Sequence, residues 1–78
     1  MKINIITPDK EIYDGEIKDA RLIGTDGHFE ILTNHAPMVA ALAKGEIKLI
    51  DMENKEISFH LDGGLLEVSD NKIQIMAS

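Results

Sequence analysis

Apolar and polar residues alternate with a period of two along most of this chain, as expected for strands that bury one face. Ile3 and Ile5 alternate with Lys2 and Asn4, and the run Thr7-Pro8-Asp9-Lys10 closes that strand with Pro8 in a turn position. Glu11-Ile12-Tyr13 reads as a brief return, and Asp14-Gly15 predicts a hairpin turn. Residues 16–23 are extended in pattern with Ala20 and Leu22 on one side, and Gly24-Thr25-Asp26-Gly27 is a loop. His28-Phe29-Glu30-Ile31-Leu32 is a short strand with Phe29 and Ile31 facing the same way. Thr33-Asn34-His35 is turn-forming, and Pro37 keeps Ala36 extended.

The second half follows the same rhythm. Residues 38–43 favour helix by propensity, but a six-residue run between Pro37 and Gly45 is too short for an isolated helix, so a strand is expected. Glu46-Ile47-Lys48-Leu49-Ile50 alternates, and residues 51–55 are a polar connector. In residues 56–61, Ile57, Phe59 and Leu61 point inward while Ser58 and His60 point out. Asp62-Gly63-Gly64 turns the chain, Leu66 and Val68 point inward, Asp70-Asn71 turns it again, and Ile73 and Ile75 complete the sheet. About eight to ten short strands joined by Gly, Asn and Asp turns predict an all-β fold, an antiparallel two-sheet β-sandwich or flattened barrel. Roughly a dozen aliphatics and both phenylalanines would fill its core.

Composition narrows the partners more than the fold. With 78 residues the chain makes one domain, residues 1–78. It has no cysteine, which removes disulfides, thiolate metal sites and a thiol nucleophile. The net charge of −6 disfavours nucleic acid and anionic lipid surfaces. No run approaches the ~20 apolar residues of a membrane span, so direct lipid insertion is not expected. The opening residues show no cleavable apolar block, and a cytosolic chain used as translated is expected.

Candidate chemistry is thin. His28, His35 and His60 lack metal-site spacing and read as surface histidines, so no metal and no cofactor are expected. Ser58, His35 and Asp51 could be assembled into a triad, but no nucleophile elbow supports them. The pairs Asp9/Glu11 and Glu53/Glu56 read as solvated turn charges, and Gly63-Gly64 as hairpin geometry rather than a phosphate loop. No catalytic residue emerges. Two patches remain: the corner formed by His28, Glu30, Thr33, Asn34 and His35, shaped by Pro37, and the small residues Ala36, Ala40, Ala41 and Ala43 around Met38 and Leu42. The corner suits an interaction surface or a plain turn equally well, and the small residues suit a thin core better than a docking face.

The run Gly27-x-Phe29-x-Ile31-Leu32-x-x-His35-Ala36-Pro37, followed by Leu42 and Gly45, resembles the epsilon subunit of bacterial F-type ATP synthases. Gly63-Gly64-Leu65-Leu66-Glu67-Val68 and the tail Asn71-Lys72-Ile73-Gln74-Ile75-Met76-Ala77 are similar to that family's closing run. Ile6-Thr7-Pro8-Asp9 and Tyr13-Asp14-Gly15 fit its first hairpin, so the resemblance spans the whole chain. It implies a β-sandwich at the foot of a rotor stalk, peripheral on the cytoplasmic face of the bacterial inner membrane, transmitting torque without catalysis. By position, Thr7, His35, Ala36, Pro37 and Met38 would meet the gamma subunit, and Gly27, His28 and Glu30 the membrane c-ring. The family often has an acidic residue at the position of His28, so a salt bridge there is not implied. The family's C-terminal helical hairpin, a brake on ATP hydrolysis, has no counterpart in residues 1–78, which implies a short form without that brake. The competing reading is a small β-sandwich ligand-binding module, disfavoured by the absence of Trp and the scarcity of Tyr and Phe for a stacking platform.

Overall fold

The computed structural model describes residues 1–78 as eight strands with no helix: β1 (Lys2–Ile6), β2 (Glu11–Gly24), β3 (Gly27–Leu32), β4 (Met38–Leu42), β5 (Gly45–Asp51), β6 (Glu56–Leu61), β7 (Gly64–Ser69) and β8 (Lys72–Ala77). Hydrogen bonding runs in the order β1-β8-β7-β4-β2-β5-β6, with β3 and β1 also paired to β2. The all-β sandwich and the strand at residues 38–42 are as expected. The antiparallel rule has one exception: β1 and β8 run parallel, Ile3 opposite Ile73 and Ile5 opposite Ile75. Chain ends far apart in sequence meet there, and local patterning carries no information about such a pairing.

β2 builds both layers. Its first part pairs with β1, Ile3 opposite Gly15 and Ile5 opposite Tyr13. Its second part lies between β3 and β5, with Ala20 opposite both Ile31 and Leu49. Between Ile17 and Asp19 the register against β5 shifts by one residue, a bulge that bends the strand from one layer to the other. The bulge also resets the alternation, which is why Ile17 and Ala20, three positions apart, are both fully buried. One layer therefore contains β4, β7, β8, β1 and the start of β2. The other contains β3, the rest of β2, β5 and β6. Gly24 opposite Leu42 joins them at the far end.

The hairpin expected at Asp14-Gly15 does not form, because both residues lie inside the 14-residue β2. Neither has the positive φ that a tight two-residue hairpin turn needs. Gly15 has a different use. A Cβ there would sit 2.9 Å from the Tyr13 hydroxyl, so the missing side chain makes room for the Tyr13 ring, whose centroid lies 5.4 Å from that of Phe59.

Sixteen apolar residues form one buried cluster between the layers, with Ile3, Ile5, Ile31, Leu49, Leu66, Ile73 and Ile75 at its centre. Phe29, Phe59 and Ile57 pack against it only half-buried, so the core is aliphatic rather than aromatic. The small-residue run is not a core element as a whole. Leu42 is buried and Ala40 and Ala43 are half-buried, but Ala41 is exposed because β4 alternates, and Ala36 is exposed in the corner before it.

Candidate interaction surface

The register of the first layer places its residues in rows. Ala40, Leu66, Ile75 and Ile5 form an inward row across β4, β7, β8 and β1. The next row, Ala41, Leu65, Met76 and Ile6, faces out and is apolar in all four strands. Leu65 is 42% exposed and Met76 52%. In the outward row beyond, Val39 is 65% exposed and stands opposite Glu67. At ~4.8 Å between strands, the apolar row runs about 14 Å across the sheet with no charge in it. The sequence carries a signal for it that alternation obscures. Ile5-Ile6, Ala40-Ala41, Leu65-Leu66 and Ile75-Met76 are apolar doublets, and a doublet in a strand puts one apolar side chain on each face.

At one end of β4 stands the corner, residues 33–37, all exposed. Asn34 adopts φ 62°, and the His35 amide returns to the Leu32 carbonyl at 3.2 Å. The Asn34 amide donates to Asn71 Oδ1 at 2.7 Å. His35 Nδ1 lies 2.7 Å from the Ala36 carbonyl, which can only accept, so Nδ1 carries the proton and Nε2 is left to solvent. The corner is thus a shaped projection whose Met38 already belongs to β4.

Thr7 is not beside this corner. It follows Ile6, at the end of the outer row farthest from β4. Its hydroxyl accepts from the Asp9 and Lys10 amides at 3.3 and 3.2 Å, closing its own turn. The apolar row is what joins Thr7 to the corner strand.

Gly27 and His28 sit at the tip of the β2–β3 hairpin, where Gly27 takes φ 125°. An open groove of about 540 Å³ lies between this tip and β4, lined on opposite sides by Gly27 and His28 and by Met38 and Val39. Residues assigned to two different partners therefore share one groove. Glu30 points elsewhere. Arg21 Nε reaches Glu30 Oε2 and Asp19 Oδ2 at 3.3 Å each, making a small ionic cluster on the outer face of the second layer. Asp19, 8% exposed, has one carboxylate oxygen with no partner. Burial raises its pKa from the ordinary aspartate value, and hydrogen bonding and charge from Glu30 add to the rise against the opposing pull of Arg21. Glu30 shifts down, chiefly through its hydrogen bond with Asp19. Alternation alone puts Asp19 on the solvent side, so its burial was not expected.

No group of three or more His, Asp or Glu side chains is arranged to hold a metal ion. Asp51 Oδ1 caps its own turn, accepting from the Glu53 and Lys55 amides at 2.8 and 2.9 Å. Ser58, on β6, and His35, on the corner, make no hydrogen bond to Asp51 or to each other. What the surface can do chemically is dock: it offers an apolar row, a shaped corner and a groove.

Fold and surface together define a small all-β sandwich module with an exposed apolar row on one outer face. The family model of the ATP synthase delta/epsilon chain β-sandwich domain matches residues 1–78, and the chain belongs to that family. It is 42% identical over 71 residues to the ATP synthase epsilon chain of Chlorobium limicola, covering 91% of this chain and 81% of that one. To the epsilon chain of Salinibacter ruber it is 36% identical over 85 residues, 99% of this chain but 57% of the relative. It thus spans most of one relative and little over half of another. Among solved structures, a chain of the Euglena gracilis mitochondrial ATP synthase (OSCP/F1/c-ring) superposes with TM-score 0.87 at 19% identity, over 96% of this chain and 48% of that one. A chain of the Tetrahymena thermophila mitochondrial ATP synthase central stalk and c-ring superposes with TM-score 0.80 at 23% identity, over 99% and 62%. These likenesses show a shared fold.

Proposed function

We propose that this chain is a non-catalytic rotor subunit of a proton-translocating F-type ATP synthase, holding the gamma subunit to the membrane c-ring and supporting the coupling of ion flow to ATP synthesis. The observation that carries this reading is the outward row Ala41, Leu65, Met76 and Ile6, an uncharged apolar strip on a net-acidic chain. An aligned apolar row gains free energy only when something dry covers it. Gamma is the occupant, reaching from Thr7 along the row to Met38 and the corner residues His35, Ala36 and Pro37. Gly27 and His28, on the projecting hairpin, meet the polar loops of the c-ring, with Glu30 behind them. His28 meets those loops by hydrogen bonding rather than by a carboxylate salt bridge. The subunit lies peripherally on the cytoplasmic face of the bacterial inner membrane, and no helix in it is long and apolar enough to cross a membrane.

Residues 1–78 contain no helix, so this stretch of chain couples without supplying the family's helical brake. Reconstitution into an epsilon-depleted enzyme should leave ATP hydrolysis uninhibited; strong inhibition would refute that part. The docking itself is tested by pull-down from cell extract. The tag belongs at Ser78, because the Met1 amine is tied to the Ile17 carbonyl at 3.2 Å. Gamma and c-ring should be recovered, and less so with the double variant His35→Ala/Pro37→Ala. Recovery of no ATP synthase component would instead favour a ligand-binding module, to be pursued by a thermal-shift screen of sugars and nucleotides.

A further inference from the structure

Residues 33–37 are all exposed, so packing does little to hold the corner in one shape. Its hydrogen bonds are few. The His35 amide to Leu32 and the His35 ring to Ala36 are both local. One bond ties the corner to the rest of the molecule: the Asn34 amide to Asn71 Oδ1, 2.7 Å long and spanning 37 positions in sequence. Asn71 is itself well anchored. Its carbonyl accepts from the Lys2 amide at 3.2 Å, so the residue sits where β1 and β8 come together.

The turn holding Asn71 supplies an independent observation. Asp70 and Asn71 link β7 to β8 with φ of 51° and 58°, the conformation of a two-residue type I′ hairpin. Glycine is the residue such a turn prefers at its second position, since it has no Cβ to strain there. Here the position carries asparagine, and its side chain leaves the turn to bind the corner.

We propose that Asn71 is a positioning residue: its side-chain carbonyl holds Asn34 in the left-handed conformation and thereby sets the presentation of His35, Ala36 and Pro37. The role in docking rests on the gamma-binding reading above, while the role in shaping the corner does not.

The test uses the 78-residue chain and two variants. Asn71→Gly suits the positive φ but removes the acceptor; Asn71→Asp keeps an acceptor oxygen and tolerates the same backbone. Amide exchange is read by NMR at Asn34, with Ile73 of β8 as a control for the hairpin. Affinity for purified gamma subunit is measured in parallel. Asn71→Gly should speed exchange at Asn34 and weaken gamma binding, each roughly 3- to 10-fold as expected for one hydrogen bond, with Ile73 unchanged and Asn71→Asp restoring both. Unchanged exchange at Asn34 in the glycine variant would overturn the positioning role. Faster exchange with unaltered gamma affinity would uphold the shaping of the corner and overturn its part in docking. If the wild-type chain fails to bind gamma at all, the docking reading falls, and the exchange data still decide whether Asn71 shapes the corner.

Discussion

The two outer faces of this sandwich are built from the same kind of strand and do opposite things. Across β4, β7, β8 and β1 the outward row is Ala41, Leu65, Met76 and Ile6, with no charge among them. Across β3, β2 and β5 the outward positions include Glu30, Arg21 and Lys48 in one row, and Arg21 bridges Glu30 and Asp19. The second face pairs part of its charge internally, through Arg21. The row on the first face has no charge to satisfy, although Glu67 and Gln74 stand in the outward row beside it. A row that is apolar in register, rather than at scattered points, is the arrangement that suits a dry partner.

Three perturbations separate the faces. The largest concerns adjacent residues of β7. Leu66 is fully buried and Leu65 is 42% exposed. Leu66→Ala should lower the unfolding free energy by about 2–5 kcal/mol, measured by urea titration, through lost burial and the cavity left behind. Leu65→Asp should move stability by less than about 0.5 kcal/mol. It should nevertheless weaken gamma binding by about 2–3 kcal/mol, roughly 30- to 150-fold, because a charge would be buried without a partner. Titration of gamma against each variant distinguishes the two residues.

The smallest effect is on the charged face. Asp19 has its pKa raised in the folded state, so its contribution to stability is fully present below the ordinary carboxylate pKa and is lost as pH rises through the raised value. Glu30 has its pKa lowered, so its contribution is present above the ordinary value and is lost as pH falls through the lowered one. The two slopes oppose each other. Asp19→Asn removes the first and, because Asp19 is the main cause of the Glu30 shift, leaves of the second only the part that Arg21 supplies, so the variant's stability should no longer decline as pH rises above the ordinary carboxylate pKa. It should be at least as stable as wild type at pH 7, by up to about 1 kcal/mol. Denaturation midpoints across that range check the sign, and gamma binding should be unaffected.

Much of the fold was legible because a half-buried strand writes its inward face directly into the sequence. Leu66 and Val68, Ile73 and Ile75, and Ile3 and Ile5 alternate without interruption and are all buried. Four features were not legible, for three physical reasons. The bulge after Ile17 resets the period, which hides the burial of Asp19. Asp14-Gly15 has the composition of a turn, but its glycine serves the Tyr13 ring, a contact that only packing reveals. The parallel β1–β8 pairing and the Asn71–Asn34 bond join distant segments, where neither period nor propensity applies. The candidate surface was half visible. The corner stood out by its turn residues and by resemblance, whereas the apolar row depends on the register of four strands and on doublets that simple alternation treats as noise.

The most direct measurement is hydrogen exchange of this chain by mass spectrometry, alone and with saturating gamma subunit. Docking on the apolar row predicts added protection in peptides covering β4, β7 and β8 and in residues 33–37, with β5 and β6 unchanged. Protection confined to β5 and β6, or none anywhere, would contradict it.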